Sequence, residues 1–268
     1  MAHYAVSVKP PAATPAFAAT LVLLRDRPAG GIDVLLVRRH PKSRFAAGDF
    51  AFPGGKLTSD DNPDDAAAWC AGLDAETAAA MLALDSPRAA LGFWIGAIRE
   101  TFEEVGVLLA TAPGGVAIDV SSARFRDYRR ACQDDNRAFW TMVKRERLQL
   151  STDRLLYFAH WITPEEQPYR FDTRFFAAPM PGAQEPVGDD REVTEVRWVT
   201  PRQALEALER GELTMRAVTA RNLRIFEHAS SVASALDALS GKPVPEIHAR
   251  VVMVDGKRRV LVPGDPGY

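Results

Sequence analysis

The sequence predicts an α/β protein, a central mixed sheet between layers of helices. Three observations predict it. Runs rich in β-branched and aromatic residues, at 17–24, 32–38, 155–163, 170–178 and 193–199, are interleaved with helical patterns and do not cluster in one half. The 268 residues, 47% hydrophobic and 25% charged, have the composition of an ordinary globular chain. No repeat or linker divides them. We therefore expect a loose Ala-Pro-rich arm at 1–16 and a single domain over 17–268, with a helical insertion at about 57–93.

The elements follow in order. Segments 17–24 and 32–38 are separated by Arg25-Asp26-Arg27-Pro28-Ala29-Gly30-Gly31, a loop that makes them a hairpin-like pair. A short third strand at 50–52 ends at the turn Phe52-Pro53-Gly54-Gly55. Asp60-Asp61-Asn62-Pro63 opens the insertion, and Ala-rich 64–84 reads as two short helices broken near Gly72. Ser86 is a good N-cap with Pro87 behind it, and Gly106 is a good stop, so a long helix is expected between them. Residues 125–147 look helical, Thr200-Pro201 starts a helix that Gly211 ends, and 214–239 is helical in two pieces. Segments 247–254 and 258–262 suggest a final hairpin around Asp255-Gly256.

Composition excludes several classes. A formal net charge of −2 leaves no broad basic surface for nucleic acid. No apolar run approaches the ~20 residues of a membrane span. The opening residues lack a secretory pattern, and Pro266-Gly267-Tyr268 carries no peroxisomal address. Cys70 and Cys132 alone argue against a disulfide framework and fit a reducing compartment, so a cytoplasmic placement is expected. A homodimer is the default oligomer.

The chemistry sits on the long helix. Leu91, Trp94, Ile95, Ile98, Phe102 and Val105 recur at helical spacing, and Glu100, Glu103 and Glu104 fall roughly opposite. Their i, i+3, i+4 spacing makes the three carboxylates neighbours that repel by a few tenths of a kcal/mol per exposed pair. A divalent cation would remove that repulsion, and clustered oxygens suit Mg²⁺ or Mn²⁺ better than zinc. Gly92 and Gly96 lie towards the same side and are expected to leave room for a ligand. A solvated acidic face is the competing reading, and the Gly54-Gly55 turn, where backbone can approach a ligand, weighs against it.

These residues match a family. Gly55, followed later by Arg99-Glu100-Thr101-Phe102-Glu103-Glu104-Val105-Gly106-Val107, resembles the Nudix box, G-x5-E-x7-R-E-U-x-E-E-x-G-U with U a bulky apolar residue. Thr101 at the first U is a mild departure. The spacing is a larger one. The first box glutamate falls on Asp61, and the next seven residues expand to thirty-seven, 62–98. In the family that glutamate supports the box arginine, and whether Asp61 does so for Arg99 is left open. The insertion, the stretches 33–39, 48–52 and 170–176, and the tail 261–265 resemble the peroxisomal-type coenzyme A diphosphatase branch of the Nudix hydrolases.

The resemblance implies an α/β/α Nudix sandwich and a metal-dependent hydrolase of a small-molecule nucleotide substrate. Glu100, Glu103, Glu104 and the Gly55 carbonyl would hold Mg²⁺ or Mn²⁺, and Arg99 would orient a box carboxylate. The family often adds an acid from a later loop, for which Asp189, Asp190, Glu192 and Glu195 are candidates, Asp190 and Glu192 as acid/base, and a solvated loop charge is the competing reading for each. Arg38, Arg39, Lys42 and Arg44 form a basic stretch that could bind a substrate phosphate, and Arg170 and Arg174 are weaker candidates. His40, His160 and His228 have no catalytic setting in the sequence, and Trp94, Phe102 and Trp198 are expected in the core. Coenzyme A or acyl-coenzyme A is the expected substrate, giving 4′-phosphopantetheine or its acyl form and adenosine 3′,5′-bisphosphate. The alternatives are a hydrolase of ADP-ribose, a nucleotide sugar or a dinucleotide, and a non-catalytic Nudix-fold binding module.

Overall fold

A computed structural model describes residues 13–43, 45–254 and 257–268. The first strands are β1 (Ala16–Asp26), β2 (Ile32–Arg39), β3 (Phe50–Ala51) and β4 (Gly54–Lys56). Helices α1 (Ala75–Leu82) and α2 (Pro87–Val105) follow, then β5 (Ala110–Thr111), α3 (Ala123–Asp134), α4 (Arg137–Arg145) and β6 (Gln149–Leu150). The second half contains β7 (Leu156–Ile162), β8 (Phe171–Pro179), β9 (Val193–Val199), α5 (Pro201–Glu209), α6 (Ala217–Ile225) and α7 (Val232–Leu239). It closes with β10 (Glu246–His248), β11 (Arg250–Val254) and β12 (Lys257–Leu261).

Eight strands form one mixed sheet in the order β10-β7-β8-β1-β2-β3, with β4 also on β1 and β9 also on β2. β1 runs parallel to β8 and antiparallel to β2. It divides its partners on one edge: Ala18–Thr20 pair with β4, whereas Leu24–Asp26 pair with β2. That divergence carries β4 towards α2.

Strand alternation sorts the core into two layers. Leu21 and Leu23 of β1 and Leu35 and Val37 of β2 face one cluster with α1, α2, α3 and α4. Val22, Leu24, Val34 and Leu36 face the other, with α5, α6 and α7. This is the α/β/α sandwich expected from the interleaved elements.

α2 begins as the sequence predicts. Ser86 Oγ accepts from the Ala89 N–H at 3.3 Å and Pro87 opens the first turn. Gly106 closes the helix at φ +70°. The helix is buried on nearly every side, not along one stripe. Phe93, Trp94, Ile98 and Phe102 are sealed in the core, each worth about 1.5–3 kcal/mol of burial. The insertion covers the remaining face. A Cβ on Gly96 would lie 3.3 Å from Leu57 and 3.4 Å from Asp61, and one on Gly92 would lie 3.4 Å from Asn62. The two glycines therefore accommodate the insertion and leave no ligand space.

Other differences are local. Gly54–Lys56 is a strand, where a turn was expected. The 125–147 helix breaks into α3 and α4 at Asp135-Asn136. The predicted last hairpin begins too early: Glu246–His248 joins β7 in the main sheet, and β11 and β12 form a ladder of their own. Its expected turn residues Asp255 and Gly256, like most of the expected arm, lie outside the described residues. Trp198 is half-buried beneath Arg25, whose guanidinium sits 4.3 Å from the ring centroid.

Candidate active site

The site forms where β4 meets the last two turns of α2. Gly54 has φ +152°, and a Cβ there would lie 2.4 Å from the Ala19 carbonyl oxygen, so only glycine fits the ladder. Its N–H donates to Glu104 Oε2 at 3.0 Å. A Cβ on Gly55 would lie 2.5 Å from the Glu100 carboxyl carbon. The two glycines thus bring backbone directly against two of the three glutamates.

Arg99 organises two of the three. Its Nη1 lies 2.9 Å from Glu100 Oε1 and donates to Glu103 Oε2 at 3.0 Å. Nε and Nη2 donate to the two oxygens of Asp61 at 2.6 and 3.0 Å, and Nη2 also donates to the Lys56 carbonyl at 3.1 Å. Both Arg99 and Asp61 are buried. Asp61 in turn accepts at 2.8 Å from the N–H of Thr58, which caps the short turn Ser59–Asp61. The insertion therefore delivers the arginine's partner, and the question left by the stretched spacing is answered by Asp61.

Glu104 is buried and Glu100 and Glu103 are nearly so, which removes the solvated-face reading. Burial pushes Glu103 up to about 8, against the pull of Arg99. Glu100 rises for the same reason, and Glu104 rises well above the carboxylate range through burial and the charge of Glu100.

As placed, Glu100 and Glu103 lean on Arg99, and among the described residues no three acidic, His or Cys side chains converge on one point. Two observations nevertheless fit the set to a hard cation. Glu103 Oε1 is buried with no hydrogen-bond partner. Three carboxyls with raised proton affinity share one pocket, a cost that a divalent ion would offset.

The trio closes one end of a cavity of about 830 Å³, within the usual range for small-molecule sites. Its walls also carry Phe45, Phe52, Trp161, Phe171 and Phe175. The basic stretch divides. Arg39 lines the cavity, with Nη1 at 4.0 Å from Glu104 Oε1. Arg38, its neighbour on β2, points to the opposite face of the strand, where it lies over Phe50 at 6.0 Å and 3.8 Å from Glu195. Lys42 is exposed away from the cavity, and Arg44 lies outside the described residues.

Among the described residues the remaining cavity cations are Lys56, Arg191 and Arg216, which sequence reasoning missed. They lie far apart in the chain, and no local pattern marks them. Arg174 is buried with Asp172 on the other face of β8, 4.9 Å from the Phe93 ring, and does not line the cavity. His160 is buried beside the same Asp172 at 2.6 Å.

In the late acidic loop, Asp189 Oδ1 accepts from the N–H groups of Arg191, Glu192 and Val193 at 3.2, 2.9 and 2.8 Å. Asp189 and Glu192 line the cavity, whereas Asp190 does not. Glu195 pairs with Arg197 at the strand surface.

An α/β/α sandwich that presents an R-E-x-x-E-E-x-G helix against a Gly-Gly strand defines a Nudix-type domain. The family model described as NUDT19 Nudix domain matches residues 10–221, and the chain belongs to that family. Similar curated proteins include acyl-coenzyme A diphosphatase NUDT19 of Xenopus laevis, 29% identical over 208 residues, covering 65% of this chain and 54% of that protein. The protein of the same name from Gallus gallus is 27% identical over 220 residues, covering 68% of this chain and 57% of its own length. The chain thus spans a little over half the length of these relatives. A solved NUDIX hydrolase from Alicyclobacillus acidocaldarius superposes with a TM-score of 0.71 and 28% identity, covering 86% of this chain and 99% of that one. Among the described residues no helix is long and apolar enough to cross a membrane.

Proposed function

We propose that this protein is a Mg²⁺- or Mn²⁺-dependent hydrolase of the diphosphate linkage in coenzyme A or acyl-coenzyme A. The observation that carries the reading is the trio Glu100, Glu103 and Glu104, two of them paired with Arg99 and the third held by the Gly54 N–H, lining a large cavity. The names of the two curated relatives support the substrate class. Glu100, Glu103 and Glu104, with the Gly55 carbonyl, would hold the cation. When bound, it would neutralise diphosphate charge and lower the pKa of a water molecule.

The residues of the chain then divide the work. Arg99 fixes two carboxylates by ion pairing, and the Gly54 N–H fixes the third. Arg39, Lys56, Arg191 and Arg216 supply positive charge for phosphate groups. The aromatic walls receive the apolar parts of the substrate and exclude water. Glu192 lines the same cavity, and its charge raises Glu100 and Glu104, so its carboxylate is our candidate to take the proton of the attacking water. The unpaired thiols Cys70 and Cys132 support a reducing compartment, and we place the reaction in the cytoplasm.

The test is incubation with Mg²⁺ or Mn²⁺ and a panel of coenzyme A, an acyl-coenzyme A, ADP-ribose, a nucleotide sugar and a dinucleotide, with products identified by mass. Phosphopantetheine species plus adenosine 3′,5′-bisphosphate are expected. Cleavage of ADP-ribose with none of coenzyme A would remove the substrate assignment. No cleavage of any compound would leave a binding module.

A further inference from the structure

The last four carbonyls of any α-helix lack an intrahelical partner. In α2 these belong to Phe102, Glu103, Glu104 and Val105, the turn that carries two of the three glutamates. All four are satisfied, one by the closing Gly106 and three by distant parts of the chain. The Phe102 carbonyl accepts from the Gly106 N–H at 2.9 Å, and that of Val105 accepts from the Val187 N–H at 2.9 Å. The Glu103 carbonyl accepts from Arg129 Nε at 3.0 Å and Gln133 Nε2 at 2.8 Å, and the Glu104 carbonyl accepts from Arg129 Nη2 at 2.8 Å. Arg129 Nη2 also donates to the Val187 carbonyl at 2.8 Å.

One guanidinium on α3 therefore joins the glutamate-bearing end of α2 to the chain that leads into the acidic loop. Gln184 strengthens the same seam, exchanging two hydrogen bonds with the Leu108 backbone at 2.9 and 3.1 Å. Two residues beyond Val187, Asp189 gathers the three N–H groups that turn Glu192 towards the cavity. Gly106 gives the arginine its path: a Cβ there would lie 3.0 Å from Arg129 Nη1.

We propose that Arg129 is a positioning residue that sets the spacing between the Glu100–Glu104 trio and the Glu192 loop, while contacting neither substrate nor cation itself. This inference rests on the reading of the trio as the cation site. Among the described residues no other side chain donates to the Glu104 carbonyl, whereas Gln133 still serves that of Glu103. A lysine offers one compact ammonium in place of a fork that spans three carbonyls, so it restores only part of the link.

The experiment measures Mn²⁺ affinity by calorimetry, together with kcat, KM and melting temperature, for Arg129→Met, Arg129→Lys and the surface control Arg130→Met. Residues that support metal ligands from behind typically change affinity or activity by 10–100-fold. Arg129→Met should weaken Mn²⁺ binding and lower kcat by about 10-fold or more, with KM within about 3-fold. Arg129→Lys should fall between, and Arg130→Met should match the parent. A folded Arg129→Met with unchanged Mn²⁺ affinity and kcat would overturn the proposal, as would a lower melting temperature alone.

Should Arg129→Met fail to fold, hydrogen exchange on the parent protein decides. Mn²⁺ should protect residues 185–192 together with the last turn of α2, and protection confined to α2 would overturn the link. Failure of the underlying reading looks different: Glu103→Gln and Glu104→Gln would then bind Mn²⁺ normally.

Discussion

Asp61 grips Arg99 with both carboxylate oxygens, at 2.6 and 3.0 Å, across thirty-eight positions of sequence and with both side chains buried. The pair ties the insertion to the glutamate helix. Breaking one partner of a buried ion pair leaves an uncompensated charge and costs about 3–5 kcal/mol. Asp61→Asn should therefore lower the melting temperature by on the order of 10 °C. It should also free Arg99 to pull differently on Glu100 and Glu103, reducing kcat. A melting temperature within about 2 °C of the parent would show that the pair carries little.

Substitution within the trio tests the chemistry. Glu103→Gln and Glu104→Gln preserve shape and remove the charge that would hold a cation. Each should lower kcat by at least ~10²-fold. Glu192→Gln should lose a similar factor, as expected for a general base. Near-normal turnover in both trio variants would refute the cation assignment. Near-normal turnover in Glu192→Gln alone would remove only the base.

The two glycines of β4 should fail in different ways. Gly54→Ala drives a Cβ into backbone at 2.4 Å with φ at +152°, so the cost should fall on folding, at least about 2 kcal/mol. Gly55→Ala meets instead the end of the Glu100 side chain, which can move. It should fold, yet bind Mn²⁺ about 10-fold or more weakly. Denaturant melts and calorimetry on the two variants separate these outcomes. Equal stability losses would show that the Gly55 contact is structural.

Protons and cations should compete. Burial raises Glu103 from an ordinary 4.5 to about 8, and Glu100 and Glu104 shift in the same direction. The native state then holds protons that the unfolded chain has released, so this contribution to stability is present below 4.5 and lost as pH rises through 8. A divalent ion displaces those protons and should stabilise the fold more at about pH 8.5 than at about pH 5.5. Thermal melts with chelator and with Mn²⁺ at the two values check this. An equal increment at both would contradict it.

Neither thiol should react in the native state. Burial pushes Cys70 and Cys132 up to about 12, so at neutral pH their thiolate fraction is vanishing. Alkylation followed by mass measurement should label neither until denaturant is added. Rapid native labelling of Cys132 would mean that the α3 packing opens.

What could be read from residues alone was local. The 3.6-residue period placed Glu100, Glu103 and Glu104 together, Ser86 and Gly106 marked the ends of α2, and period-two runs located the main strands. The expected solvated or ligand-facing surfaces went astray where distant chain arrives. Leu57, Asp61 and Asn62 fill the space over Gly92 and Gly96, and strand alternation on a buried sheet sends Arg38 and Arg39 to opposite faces.

The sequence by itself determined the spacing of the acidic trio and the architecture around it, because backbone dihedrals repeat over a few residues. Only the tertiary structure decided that Asp61 meets Arg99, that Lys56, Arg191 and Arg216 share the cavity with Arg39, and that Arg129 closes the end of α2. Those contacts join segments tens of residues apart. Their partners are chosen by how the sheet and helices cross, not by any interval along the chain.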